Sequence, residues 1–335
     1  MNRLTRKIDS FLVQWKNSPH HLPLIIKGAR QVGKTEAIEH FARTHYTHLV
    51  EINFVLQKEY RHIFDDGFDV NRILQNITFL DPSLQLKPHE TLIFFDELQA
   101  CPNCATSLKA FQLDGRYDVI CSGSLMGISY QEIESNSVGY KEDITLYPLD
   151  FEEFLWARGY TSEQVDLFYQ HLLETRPLSR LEMDVLQKNF QDYLVLGGMP
   201  AVVWRFIQQN NFSGTLQLQQ QLLLDYEEDI TKYAGGLDKG KILNVYRKIP
   251  VFLGKENKKF QYSVVKKGST SAKYAGSLQW IEDAGIITRC HNLSITELPL
   301  DGNAEEDTFK VYMCDTGLFV SMLEDGTQFD ILQGD

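Results

Sequence analysis

The sequence has few cysteines for its length and no long apolar segment. The five cysteines, an odd number, are scattered over 335 residues, which excludes a disulfide-stabilised scaffold and favours a reducing compartment. No apolar run approaches the ~18 residues of a membrane-spanning helix. The N-terminus also lacks the continuous apolar core of a secretion signal. We therefore expect a cytoplasmic protein without a membrane segment.

Basic residues are also in deficit. The chain has 33 lysines and arginines and 45 aspartates and glutamates, which gives a formal net charge of −12. This balance disfavours a protein that coats nucleic acid over its whole surface, although a local basic patch remains compatible with it. Glycine and proline together make up about a tenth of the chain, so low-complexity and collagen-like structures are excluded. At roughly 150 residues per domain, the length predicts about two domains.

Short apolar runs alternate with helical patterns in the first half of the chain. The runs comprise residues 22–26, 49–52, 92–95, 119–121 and 144–146. Continuously apolar strands separated by helices indicate a parallel sheet that is covered on both faces. We therefore predict a doubly wound α/β domain with five strands, preceded by an amphipathic helix near the N-terminus.

The most specific motif, GxxxxGK[ST], lies at residues 28–35 between a predicted strand and a predicted helix. In that context the loop N–H groups wrap phosphates at the N-terminus of the helix. Lys34 is predicted to reach the β- and γ-phosphates, and Thr35 to ligate Mg²⁺. The predicted nucleotide-binding residues of the loop are Gly28, Ala29, Arg30, Gln31, Val32, Gly33, Lys34 and Thr35.

Two further runs end in polar residues that complete such a site. Asp96 follows a buried strand at its carboxyl end, where ligands bind in open α/β sheets. We predict that Asp96 holds Mg²⁺ and that the adjacent Glu97 polarises the attacking water. The run at residues 119–121 ends near Ser122 and Ser124. Either serine is predicted to sense the γ-phosphate, with a plain turn as the alternative.

These motifs distinguish between the main classes of nucleotide-binding protein. A GTPase needs an Asn-Lys-x-Asp motif, and the Asn-Lys pair of this chain, at residues 257–258, is followed by Lys259 and Phe260. The glycine-rich signature of a transporter ATPase is also missing. A glutamate beside the magnesium-binding aspartate favours hydrolysis of ATP over phosphate transfer to a small molecule. The predicted cofactors are therefore ATP and Mg²⁺.

With these motifs the sequence resembles bacterial and archaeal AAA+-type ATPases whose C-terminal part is a domain of unknown function. The resemblance extends to residues 95–102, 121–124, 146–154, 193–200, 249–260, 280–286 and 309–318. It implies an ATP-binding AAA+ core, a winged-helix-like segment and then a restriction-endonuclease-like module. Because the acidic and lysine residues of that module would lie beyond Asp335, we expect it to be truncated or absent and assign no nuclease site. Relatives often have Gly-Arg where this chain has Gly139-Tyr140, so no arginine finger is assigned there.

The resemblance leads to a division of the chain into four parts. We expect an N-terminal helix at residues 1–19, an AAA+ ATPase domain at 20–150, a helical region at 151–235 and a winged-helix-like domain at 236–335. Hydrolysis is expected to switch this C-terminal domain between arrangements. By analogy with related signalling ATPases, Pro200 is predicted to contact the adenine; the alternative is an ordinary helix-breaking turn.

A lysine-rich stretch at residues 255–273 reverses the overall charge. It contains one acid, Glu256, and the lysines Lys255, Lys258, Lys259, Lys266, Lys267 and Lys273. It predicts contact with DNA phosphates or, alternatively, a solvated face. Alternatives to the ATPase are a nucleotide-regulated adaptor that holds a protein or DNA partner, and a DNA-binding regulator; a homo-oligomer also remains open. The Cys101-x-x-Cys104 spacing has no second pair for zinc and is interpreted as incidental.

Overall fold

A computed structural model describes residues 3–124, 137–234, 238–253, 260, 265, 271–323 and 326–334 of the chain. The chain divides into two compact units. The first is Arg6–Leu146, and the second combines Met1–Thr5 with Tyr147–Asp335. Among the described residues no helix is both long enough and apolar enough to cross a membrane.

The first unit is a parallel sheet with helices. In chain order its elements are α1 (Lys7–Asn17), β1 (Leu24–Gly28), α2 (Lys34–His45), β2 (His48–Asn53), a 3₁₀ helix (Lys58–Phe64), α3 (Val70–Leu80), β3 (Thr91–Asp96), a 3₁₀ helix (Leu98–Ala100), α4 (Pro102–Asp114), β4 (Asp118–Ser124) and β5 (Glu142–Thr145). The strands lie in the order β2-β3-β4-β1-β5, and every neighbouring pair is parallel. The predicted five-stranded parallel α/β sheet is confirmed.

Burial explains which strands the sequence marks most clearly. Strand β3 is buried at all six positions, and β4 is buried from Val119 to Ser124. The edge strand β2 alternates between buried and partly exposed positions, and β5 has no fully buried residue. The largest difference in strand ends falls on β4, which extends three residues past its predicted end, to Ser124. Strand β1 starts at Leu24 instead of residue 22, and the edge strand β5 starts two residues before its prediction. An edge strand carries a weaker apolar signal because one side of it has no neighbour.

An aromatic cluster anchors the carboxyl end of β3. The ring of Phe95 lies 5.6 Å from Phe54, 6.0 Å from Phe64 and 6.1 Å from Phe111, measured between ring centroids. These rings come from the segment after β2, from the first 3₁₀ helix and from α4, and all four are buried. Offset and edge-to-face ring pairs are each worth about 1 kcal/mol beyond the area that they bury. The residue that follows Phe95 is therefore held in a rigid position.

In its described residues the second unit is helical apart from one hairpin. Its elements are α5 (Phe151–Ala157), α6 (Ser162–Leu173), α7 (Arg180–Leu196), α8 (Pro200–Gln209), α9 (Thr215–Tyr233), α10 (Lys239–Leu253), α11 (Ser271–Asp283), β6 (Ile287–Leu293), β7 (Ala304–Met313), α12 (Thr316–Ser321) and α13 (Thr327–Gln333). Strands β6 and β7 pair antiparallel. The starts of α5, α6 and α7 carry capping boxes, in which an Asp, Thr or Ser side chain and the third helical residue satisfy each other's backbone N–H groups.

The break between α7 and α8 is a glycine turn that links two distant segments. The Gly198 N–H donates to Asp315 Oδ2 at 2.6 Å, and the Gly198 carbonyl accepts the N–H of Leu149 at 2.7 Å. A Cβ atom on residue 198 would lie 1.9 Å from the Leu149 oxygen, so glycine alone fits here. Pro200 opens α8, where its missing N–H has no partner to lose.

Asp315 is the buried partner of this turn. Its Oδ1 accepts the N–H of Leu318 at 2.9 Å, which caps α12. Burial raises the pKa of the Asp315 carboxyl to about 6, although hydrogen bonds from the N–H groups of Gly198, Leu318 and Gly317 act in the opposite direction. The folded state therefore binds a proton more tightly than the unfolded chain, in which an aspartate has a pKa of about 3.9.

We expect the free energy of unfolding to contain an Asp315 contribution that falls as pH rises from about 4 to about 6 and is constant above that range, because the folded pKa is raised. The full contribution is at most about 3 kcal/mol. Replacing Asp315 with Asn should flatten this part of the profile, measured by urea unfolding at a series of pH values. Asp166→Asn, at an exposed position of α6, is the matched control. An unchanged slope in Asp315→Asn would contradict the assignment.

Candidate nucleotide-binding site

The loop between β1 and α2 presents the N-terminus of a helix without a side-chain cap. Gly33 adopts φ +94° and precedes the first residue of α2, Lys34. This left-handed conformation favours glycine, which explains the second glycine of the motif. Because no side chain caps α2, its first N–H groups are suited to binding an anion. Of the other loop residues, Ala29 and Val32 are buried, Arg30 and Thr35 are half-buried and Gln31 is exposed.

The ammonium group of Lys34 turns back onto its own loop. Its Nζ donates to the carbonyl oxygens of Gly28 at 3.0 Å and Ala29 at 2.8 Å. Burial lowers the pKa of Lys34 to about 8, and the nearby carboxylates of Glu97 and Asp96 oppose this shift. A ligand with several negative charges would favour the protonated lysine further.

The carboxylate of Asp96 is the centre of the site. Its Oδ1 accepts the hydroxyl of Ser122 and the N–H of Glu97, the latter at 3.0 Å. Its Oδ2 accepts the side-chain amide of Asn53 at 2.9 Å and the hydroxyl of Thr35 at 3.5 Å. Asp96 is only 5% exposed. The structure therefore brings together three predicted site residues, Thr35, Asp96 and Ser122.

Strand register explains this convergence. Asn53 lies opposite Asp96 in the β2–β3 pair. Ser122 lies one residue beyond the Phe95–Cys121 pair of β3 and β4. Since the strands are parallel, their carboxyl ends meet at one edge of the sheet. The β1–β4 pair ends with Gly28 opposite Ser124, so the phosphate loop begins at that same edge.

Oxygen donors at this edge fit a magnesium ion. Thr35 Oγ1 and Asp96 Oδ2 lie 3.5 Å apart, and hydroxyl and carboxylate oxygens are the ligands that Mg²⁺ prefers. Among the described residues there is no group of three or more His, Cys, Asp or Glu side chains that could hold a metal ion. Mg²⁺ commonly keeps water and phosphate oxygens in its remaining positions, so two protein oxygens are an ordinary share.

Glu97 adopts an uncommon backbone conformation. Its φ is +59°, in the left-handed region, directly after the end of β3. Its carboxylate accepts a hydrogen bond from the side-chain NH₂ group of Gln99. The side-chain oxygen of Gln99 in turn accepts the backbone N–H of Ser124 at 3.3 Å. The half-buried Glu97 is thus connected to the end of β4.

Three residues that contribute hydrogen bonds to the candidate site were not predicted from the sequence. Asn53 is a polar residue at the carboxyl end of a predicted strand, which is the one signal that points to it. Gln99 has no signal beyond its place after the acid pair. Arg6 precedes α1, is 6% exposed, and donates from Nη1 to the Val32 carbonyl of the phosphate loop at 3.0 Å. Its burial contradicts the usual expectation that an arginine lies at the surface.

The remaining predicted residues lie elsewhere. Pro200 begins α8 in the second unit, and its contact with adenine remains a prediction. Of the lysine-rich stretch, Lys255, Lys258, Lys259, Lys266 and Lys267 lie outside the described residues, and Lys273 lies in α11.

The Cys101-x-x-Cys104 pair packs into the core of the first unit. Cys101 and Cys104 are both buried and are not joined in a disulfide. Burial raises the pKa of the Cys101 thiol to about 11. Since the thiolate is the form that binds metals and reacts, this burial supports a packing role.

Comparison with known proteins finds family matches for two separate segments of the chain. Residues 20–155 match the model of an AAA domain, and residues 187–328 match a "Domain of unknown function (DUF8612)". A solved structure of the Walker-type ATPase PABY2304 of Pyrococcus abyssi is similar at 14% identity, with 95% of each chain covered and a TM-score of 0.56. The Thermotoga maritima RuvB Holliday junction branch migration motor has 12% identity and a TM-score of 0.39, with 86% of this chain and 90% of that chain covered. A search of curated proteins finds no match.

At this level of identity the likeness to the Pyrococcus protein concerns the fold, and it agrees with the parallel sheet and the phosphate loop described above. The chain therefore joins an AAA domain with the P-loop ATPase fold to a C-terminal domain of unknown function.

Proposed function

We propose that the protein binds ATP together with Mg²⁺ and hydrolyses it. The observation that carries this proposal is the convergence on the Asp96 carboxylate of Thr35 from the phosphate-loop helix and Ser122 from β4, with Glu97 next in the chain. Hydrolysis needs a phosphate cradle, oxygen ligands for a metal ion and a carboxylate for water. Residues of one unit supply all three.

Each residue has a distinct task in this mechanism. The N–H groups at the start of α2 and the ammonium group of Lys34 bind the β- and γ-phosphates, which releases Lys34 from the loop carbonyls. Thr35 and Asp96 would hold Mg²⁺, and a metal ion there would supply positive charge beside the phosphates. Glu97 accepts a hydrogen bond from the attacking water and orients it. Because the Ser122 hydroxyl donates to Asp96, Ser124 is the better candidate for the γ-phosphate contact.

Steady-state phosphate release from ATP tests this proposal. Glu97→Gln should lower kcat by ~100-fold or more while ATP still binds, since a neutral amide oxygen is a weaker acceptor for the attacking water than a carboxylate and polarises it less. Lys34→Ala should lower kcat/KM by ~100-fold or more because it removes charge stabilisation of the phosphates. Activity should require Mg²⁺. Lys58→Ala and Glu59→Gln, at exposed positions of the same unit, should behave like the wild type.

Tight binding of ATP by the wild type without turnover would overturn the hydrolase and favour the nucleotide-regulated adaptor. Turnover that survives Glu97→Gln would contradict the role of Glu97 and leave the phosphate loop as the site.

We further propose that the second unit has a winged-helix-like arrangement and that nucleotide hydrolysis switches it. Helix α10 packs against α11 and β7, and α11 packs against β6. The rings of Phe252 and Phe260 lie 4.3 Å apart, and those of Phe260 and Phe309 lie 5.4 Å apart, which joins α10 to the hairpin. Helices that pack on an antiparallel hairpin, with a lysine-rich segment between the two helices in the sequence, favour contact with DNA phosphates as a second candidate function.

Binding to duplex DNA, followed by fluorescence anisotropy at several salt concentrations, tests this second candidate. The double variant Lys258→Ala/Lys259→Ala should weaken binding of unrelated sequences alike and reduce the salt slope by about 2, one for each lost phosphate contact. Lys58→Ala/Lys87→Ala, at exposed positions of the first unit, is the matched control. An equal loss in both double variants, or no salt dependence, would contradict a specific role for the lysine-rich stretch.

A further inference from the structure

The side-chain amide of Gln99 lies between two residues of the candidate site. Its Nε2 donates to Glu97 Oε2, and its Oε1 accepts the backbone N–H of Ser124 at 3.3 Å. Gln99 belongs to the 3₁₀ helix Leu98–Ala100, and Ser124 is the last residue of β4. One amide therefore connects the Glu97 carboxylate, which is proposed to orient the attacking water, with Ser124 at the end of β4. Ser124 lies opposite Gly28 of the phosphate loop.

The backbone of Glu97 is held without Gln99, but its carboxylate is not. The Glu97 N–H donates to Asp96 Oδ1 at 3.0 Å, and the Glu97 carbonyl accepts the N–H of Ala100 at 2.8 Å. These bonds support a left-handed conformation that costs a residue other than glycine roughly 1 kcal/mol. The carboxylate lies three rotatable bonds beyond this backbone, so a separate contact is needed to fix its direction. Gln99 provides that contact.

The chemistry of the bridge explains why an amide suits this position. Glutamine offers a donor to the Glu97 carboxylate and an acceptor to the Ser124 N–H at the same time. A glutamate in its place would lose the donor and bring a second carboxylate against Glu97. A lysine would lose the acceptor, and a methionine of similar length would offer neither function.

We propose that Gln99 is a positioning residue that couples the orientation of the Glu97 carboxylate to the position of the carboxyl end of β4. The inference rests on the proposed ATP hydrolysis, in which Ser124 contacts the γ-phosphate. A ligand that displaces Ser124 changes the acceptor side of the amide and thereby the direction of its donor. Gln99 holds one oxygen of Glu97 and leaves the other oxygen to accept the hydrogen bond of water.

Hydrogen exchange of the Ser124 amide in the nucleotide-free full chain tests the bridge without any need for turnover. Gln99→Met removes the acceptor and should accelerate exchange at Ser124 roughly fivefold, which corresponds to one lost hydrogen bond. Glu97→Ala should accelerate it in the same direction, because the Gln99 amide then loses the partner that holds it. Gln75→Met, at an exposed position of α3, should leave exchange unchanged. Unchanged exchange at Ser124 in Gln99→Met or in Glu97→Ala would overturn the proposal.

Kinetics then separate positioning from a general structural effect. Gln99→Met should lower kcat about tenfold and change KM for ATP less than twofold, as expected when an oriented group is misplaced. In a Glu97→Gln background the same change should have no further effect, because Gln99 acts through Glu97. An equal loss in both backgrounds would overturn the proposal. Gln99→Ala repeats both tests if the methionine variant has a lower unfolding temperature than the wild type.

The two proposals fail in different ways. A wild type that does not hydrolyse ATP overturns the proposed function, and the exchange rates of Gln99→Met and Glu97→Ala still decide whether the bridge exists. A wild type that hydrolyses ATP with the same kcat as Gln99→Met overturns the positioning role of Gln99 and leaves the hydrolase intact.

Discussion

The hydrogen bonds accepted by the Asp96 carboxylate are the interaction on which the candidate site depends. Its partners come from the end of β2, from β4, from α2 and from the backbone of the following residue. A carboxylate has lone pairs for about four such bonds, so the group is used close to its capacity. This use is possible because parallel strands end at one edge, and because the aromatic rings around Phe95 hold the preceding residue in place.

The charges of the site are arranged for a ligand that is itself charged. Lys34 is desolvated, which lowers its pKa to about 8, while Asp96 and Glu97 favour its charged form. Its ammonium group is satisfied by two carbonyl oxygens of the loop. Neutral acceptors are weaker partners for an ammonium than charged oxygens are. A polyphosphate therefore offers the Lys34 ammonium group better acceptors than the carbonyl oxygens of its own loop. A divalent cation likewise binds the oxygens of Asp96 and Thr35 more strongly than these two side chains bind one another. Under the proposed function, the same exchange of partners would alter the geometry around Asp96.

The fold and the motif residues could be predicted from the sequence, whereas the contacts between them could not. The strand β3 is apolar at four successive positions, and the phosphate loop has a residue spacing that few other structures require. Both features can therefore be recognised in the sequence alone. Asn53 becomes part of the site only through the register of β2 with β3, and Gln99 only through the left-handed turn at Glu97. Register and backbone angles depend on packing across the whole sheet, which no local pattern encodes. Arg6 lies 26 residues before the carbonyl that it binds.

Two buried aspartates, Asp96 and Asp315, differ in a way that separates a site from a structural support. Asp96 is the last residue of β3 and lies near hydroxyl residues. Asp315 follows the end of β7 and lies near glycines. The partners of Asp315 are backbone N–H groups at the glycine turn and at the start of α12. Such groups cannot rotate away without unfolding the turn. The partners of Asp96 include three side chains, two of them hydroxyls that can turn toward other acceptors. A carboxylate held by movable groups can exchange them for a metal ion and its waters, whereas one held by fixed amides can only stabilise the fold. This difference supports the proposal that the chemistry of the chain takes place at the end of β3.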